Sequence, residues 1–148
     1  MTDSARVCPR FWTGPTGRRL RQMGAAAQVT ALYLITGPHA NALGLYYLPV
    51  PYLCHDTGMD RDQALRALAA LDQAGFASYD ADSSFVWIPE MAAWQYGEWL
   101  SPRDKRVTGI RRTLARMPQN PFAVRFTERY RQVFHLDPLA ATTAGSSS

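Results

Sequence analysis

Asp60-Arg-Asp-Gln-Ala-Leu-Arg-Ala-Leu-Ala-Ala-Leu-Asp-Gln-Ala-Gly75, followed by Phe76-Ala-Ser-Tyr79, Asp80-Ala-Asp-Ser-Ser84 and Phe85-Val-Trp-Ile88, is the stretch on which the fold turns. Asp60 stands three residues before Gln63, the spacing of a capping box, in which each side chain satisfies a backbone N–H of the other. Leu65, Leu68 and Leu71 follow at helical spacing and Gly75 ends the run, so a helix is expected from about Arg61 to Ala74, with these leucines facing the core. Phe76 to Tyr79 and Phe85 to Ile88 are short aromatic and β-branched runs joined by Asp and Ser, which read as two strands of a hairpin.

Working upstream, Ala25 to Thr36 carries Val29, Leu32, Tyr33 and Ile35 and stops at Gly37-Pro38, which reads as a central helix, apolar on most sides. Asn41 to Leu48 contains a short strand closed by Pro49, which cannot continue a ladder, and Val50 to Thr57 is a second helix ended by Gly58. Phe11-Trp12-Thr13 is an aromatic anchor before a Gly-Pro-Thr-Gly turn and a basic turn or helix through Leu20. The order helix, strand, helix, helix, hairpin is that of an α+β winged helix-turn-helix.

Downstream, Met91 to Leu100 is a Trp- and Tyr-rich arm. Ser101-Pro102 opens a helix with Val107, Ile110, Leu114 and Met117 as its apolar stripe, weakened by Gly109 by about 1 kcal/mol relative to Ala. Asn120 as cap and Pro121 at the first position open another, with Phe122, Phe126, Tyr130 and Val133 on one face. The expected organisation is a basic N-terminal segment (1–22), a winged-helix domain (23–100), a basic helical extension (101–136) and a disordered, low-complexity tail (137–148).

A chain of 148 residues with 47% hydrophobic side chains is long enough to bury a core without disulfides or metals. Its start lacks the apolar region of a signal peptide, and no run reaches the roughly 18 apolar residues of a membrane span, so a soluble, cytoplasmic protein without a membrane partner is expected. Cys8 and Cys54 have neither the number nor the spacing of a disulfide framework or zinc knuckle and read as free thiols. Charge is distributed unevenly. Residues 1 to 21 carry five Arg and one acid, residues 22 to 100 carry two Arg and eight acids, and residues 101 to 131 carry nine basic groups and two acids. All basic groups but Lys105 are Arg, whose planar fork suits bidentate phosphate contact.

The ordered set Trp12, Ala31-Leu-Tyr-Leu-Ile-Thr-Gly-Pro-His39, Leu43-Gly-Leu-Tyr-Tyr-Leu-Pro49, Ala67-Leu-Ala-Ala-Leu-Asp-Gln-Ala-Gly75, Tyr79-Asp80, Val86-Trp87-Ile88, Ser101-Pro102 and Phe126 to Tyr130 resembles the N-terminal domain of phage replisome-organiser and replication-initiation proteins, the DnaD-like group. The resemblance covers about Phe11 to Tyr130. It implies DNA binding in replication initiation, inside a bacterial host cell, through a winged helix that in this group also mediates self-association. Such initiators often continue into a second domain for helicase or loader contacts, which these residues do not include. The acidic middle of this chain is a further departure from the pattern.

On that reading Arg61, Gln63, Arg66 and Gln73 lie on the groove-facing side of the recognition helix, where Arg reads guanine and Gln reads adenine. The wing tip has no basic residue, so Ser83 and Ser84 contact DNA there through hydroxyls or backbone N–H groups. Arg18, Arg19, Arg103, Lys105, Arg106, Arg111, Arg112 and Arg116 are the candidate phosphate ligands, which steepen the salt dependence of binding. A second reading has the Arg103 to Arg116 helix neutralise the acidic domain of its own chain. The expected partners are DNA, double-stranded ahead of single-stranded, a second copy of the chain, and a host or phage replisome protein. The alternatives are a protein–protein interaction or dimerisation module of a replisome, and a winged-helix transcriptional repressor.

Enzymatic readings are disfavoured. His39, His55 and His135 are scattered, with no metal-ligand spacing, and Gly14-Pro-Thr-Gly-Arg-Arg lacks the Lys-Ser/Thr ending of a phosphate loop. No catalytic residue, metal or cofactor is expected.

Overall fold

The residues that punctuate the chain set where its helices start and stop, and a computed structural model describing residues 4–137 follows them closely. The expected tail lies, from Pro138 onward, outside the described residues. The elements are α1 (Arg10–Thr13), α2 (Pro15–Met23), α3 (Ala25–Thr36), β1 (Leu45–Tyr47), α4 (Val50–Thr57), α5 (Arg61–Gln73), β2 (Ser78–Asp80), β3 (Phe85–Trp87), α6 (Met91–Tyr96), α7 (Lys105–Arg116) and α8 (Ala123–Tyr130). The fold is α+β, and two compact units divide between Gln95 and Tyr96.

In the first unit α3 touches α2, α4 and α5. Leu20, Leu34, Ile35, Leu53, Leu71, Val86 and Ile88 lie in one core cluster, and burying each such side chain contributes about 1.5–3 kcal/mol. One detail of the expected core is corrected. On α5 the buried stripe is Ala64, Ala67, Leu68 and Leu71, spaced i, i+3, i+4, i+7, while Leu65 is 37% exposed. Successive residues three apart lag by about 60° around a helix, so three leucines spaced that way drift off a single face. On α3 the buried residues are Ala27, Thr30, Ala31, Leu34 and Ile35, and Val29 is 46% exposed. Alanines on the buried faces of both helices let α3 and α5 approach closely, a role that leucine counting misses.

The strands form one antiparallel sheet in the order β1-β3-β2, with Val86 opposite both Tyr46 and Tyr79. All three residues of β3 are buried, as befits the central strand. The Tyr46 hydroxyl donates to the Leu34 carbonyl at 2.6 Å, tying the sheet to α3, and burial pushes the phenol's pKa up. The Tyr79 hydroxyl donates to the Leu48 carbonyl at 2.8 Å. Gly44, at φ +70°, accepts from Ile88 N at 2.7 Å, and a Cβ there would fall 2.5 Å from Met91 Cβ, so glycine alone fits where β1 begins.

The expected Trp- and Tyr-rich arm opens with a short helix, α6, followed by an irregular segment. In the second unit α7 starts later than Ser101-Pro102 suggests. Those residues form a turn, with Asp104 N bonded to the Ser101 carbonyl, and Asp104 is the cap, its side chain accepting from Arg106 N at 2.9 Å. Val107, Ile110 and Leu114 are buried, whereas Met117 lies at the C-cap. Contrary to the expectation of Asn120 as cap and Pro121 as first helical residue, α8 begins at Ala123 with Phe122 at the N-cap position, and Asn120 Oδ1 accepts from the amides of Phe122 and Ala123 in the turn before it. Phe122, Phe126, Tyr130 and Phe134 are buried, while Val133 is only half-buried. Phe126 and Tyr130 rings lie 4.8 Å apart, and Tyr130 stacks on Phe134 at 4.8 Å and 6°.

Candidate nucleic-acid interface

Helix α5 is positioned by its cap. Asp60 accepts from Gln63 N at 2.8 Å and Gln63 Oε1 accepts from Asp60 N at 3.0 Å, completing the box. Gln63 is therefore both a helix-start residue and a candidate base reader. Asp62, Gln63, Arg66 and Gln73 are exposed and off the buried stripe, while Arg61, also exposed, stands at the helix start in line with Ala64 and Leu68. The exposed Arg61 and Arg66 are accompanied on this helix and its cap by Asp60, Asp62 and Asp72, so the exposed surface of α5 carries no net positive charge.

The turn between β2 and β3 is closed by its own side chains. Asp80 Oδ2 accepts from Ser83 N at 2.9 Å and from the Ser83 hydroxyl at 2.7 Å, and Ser83 Oγ accepts from Phe85 N at 3.3 Å. Ser84 adopts φ +59°; its N–H donates to the Asp80 carbonyl and its carbonyl accepts from Leu48 N. Both serines are half-buried, so the hydroxyl of Ser83 holds the turn as well as lying near its tip.

On α2, Gly17 and Leu20 face inward and Arg18, Arg19 and Arg21 are exposed. Arg19 Nη1 donates to the Ala74 carbonyl at 3.1 Å, so this guanidinium satisfies the C-terminal end of α5 and complements its dipole. Arg18 and Arg21, three residues apart, are exposed on neighbouring positions of one side of this helix. Arg21 belongs with the candidates, and the inward Leu20 beside it was the signal that could have placed it there.

The six candidates on and just before α7 differ in their contacts. Arg106 pairs with Asp104, Nη2 to Oδ2 at 2.8 Å, and hydrogen bonds from its guanidinium and amide hold the Asp104 carboxyl down at about 2. Arg111 donates from Nε and Nη2 to the His135 carbonyl, linking α7 to the chain after α8. Lys105, Arg112 and Arg116 recur at intervals of seven and four residues, opposite Val107, Ile110 and Leu114. Among the described residues their side chains make no hydrogen bond or ion pair, and they span about 16 Å of one helix face. Arg103 is exposed in the turn before the helix.

No protein-family model, curated protein or solved structure matches this chain.

Both cysteines are free, Cys8 exposed and Cys54 half-buried on α4. His39 lies in the turn after α3 and stacks on Tyr52 at 4.7 Å. Among the described residues no group of three His, Cys, Asp or Glu can hold a metal ion, and no helix is long and apolar enough to cross a membrane.

Proposed function

We propose that this chain is a non-enzymatic DNA-binding protein of phage-type replication initiation, acting in the cytoplasm of a bacterial host. In this reading α3 to β3 is a winged helix-turn-helix, with α5 as recognition helix and the β2–β3 turn as wing. The observation that supports it most is the order α3-β1-α4-α5-β2-β3, with β1 across β3 from β2 and the outer face of α5 exposed.

The chemistry divides between elements. Gln63, Arg66 and Gln73 have the bidentate donors that distinguish bases in a major groove, each good pair contributing about 1–3 kcal/mol of discrimination. Attraction to phosphate comes from Arg18 and Arg21 on α2 and from Lys105, Arg112 and Arg116 on α7, since acids offset the arginines of α5. The wing contributes shape and backbone groups. Duplex DNA is the preferred form, because a helix face reads base edges only in a groove.

The test is an electrophoretic shift of random duplex and of single strands by the full chain at low salt. Duplex retardation that weakens steeply with added salt is the expected result. No shift of either form at low salt would refute the proposal and turn attention to protein partners.

A further inference from the structure

The first unit contains a cleft that DNA binding leaves unused. Its volume is about 590 Å³, within the range of small-molecule sites. Phe11, Phe76 and Trp94 form an apolar floor, with Phe76 6.3 Å from Phe11 and 6.2 Å from Trp94, centroid to centroid. Trp94 remains 41% exposed, so a large apolar ring faces solvent where a further packing partner would cover it.

The walls are built rather than incidental. Gln95 clips the chain at Arg6 from both sides, its Oε1 accepting from Arg6 N at 3.2 Å and its Nε2 donating to the Arg6 carbonyl at 3.1 Å. The α1–α2 corner is tight enough that a Cβ on Gly17 would sit 2.2 Å from the Phe11 carbonyl oxygen, so only glycine permits it. Two lengths of backbone that contribute to the lining are thereby fixed.

Charge decides the occupant. Arg6 and Arg10 line the cleft, and among the described residues no Asp or Glu does and neither guanidinium has a hydrogen bond or ion pair from its side chain. An apolar floor beside two uncompensated cations is complementary to a molecule with an apolar body and an anionic head. We infer that this cleft binds a small amphipathic anion, an alkyl or aryl carboxylate whose body covers Phe11, Phe76 and Trp94 and whose head group pairs with Arg6 and Arg10. The site is independent of the DNA reading and stands or falls by itself.

Cys8 lines the same cleft and is exposed, which supplies a reporter, with Cys54 on α4 as internal reference. The experiment titrates the full chain with anilinonaphthalene sulfonate, competes it with decanoate, and follows iodoacetamide alkylation of both cysteines by mass spectrometry. One fluorophore bound per chain, displacement by decanoate, and slowing of Cys8 alkylation several-fold relative to Cys54 are expected. Combining Arg6→Gln with Arg10→Gln weakens decanoate binding about tenfold or more, since a hydrogen bond to a charged group contributes about that factor, whereas Arg131→Gln leaves it unchanged. Both arginines are exposed, so the variant folds and the comparison is clean. Equal protection of the two thiols, unchanged alkylation of Cys8, or undiminished binding by the double variant would overturn the inference.

Discussion

Replacing Lys105, Arg112 and Arg116 together with alanine lowers the slope of log affinity against log salt for random duplex DNA by about 2.7, at about 0.9 per phosphate contact removed. Over a fourfold rise in salt, from about 50 to 200 mM, the variant then loses about 40-fold less affinity than the wild-type chain. The three residues are chosen by geometry. They occupy one face of α7, opposite its buried stripe, and lack internal partners among the described residues. Arg106 and Arg111 are engaged with Asp104 and the His135 carbonyl, so replacing them disturbs the unit as well as its charge. Fluorescence anisotropy across a salt series measures the slope. An unchanged slope would remove α7 from the interface.

The second large effect is on stability. Phe126 is fully buried and packs beside Tyr130, which stacks in turn on Phe134, next to the His135 carbonyl that Arg111 holds. Phe126→Ala removes most of a ring from this series and costs about 3–5 kcal/mol, through lost transfer energy and the cavity left behind. That is a large share of what a unit of this size can hold. Amide hydrogen exchange is the measurement, and protection of Lys105–Arg116 is expected to collapse in the variant. Protection within tenfold of wild type would show that α7 does not depend on the aromatic stack.

Much of the fold was legible because its boundaries are marked by residues with strong local chemistry. Gly37-Pro38, Pro49, Gly58 and the Asp60/Gln63 box delimit α3, α4 and α5, and Asp80 to Ser84 marks the turn of the hairpin. What failed was assignment of faces. Leu65 was expected inside on hydrophobicity, but the stripe of Ala64, Ala67, Leu68 and Leu71 is buried instead. The candidate site was legible as a census of residue types and not as a set of roles. Arg19 capping α5 and Arg111 on the His135 carbonyl depend on tertiary proximity, which charge counting along the chain does not carry, whereas Arg106 pairs with an acid only two residues away. The cleft above Phe76 likewise assembles residues from 6 to 94, too far apart in sequence for any spacing to reveal.

In the proposed function α5 reads duplex DNA while α2 and α7 hold its phosphates. Chemical-shift mapping of the isotope-labelled full chain on titration with a short random duplex at low salt tests it most directly. Perturbations concentrated in Arg61–Gln73, around Arg18 and Arg21, and along Lys105–Arg116 are the predicted result. Perturbations that spare α5, or a spectrum unchanged by DNA, would contradict it.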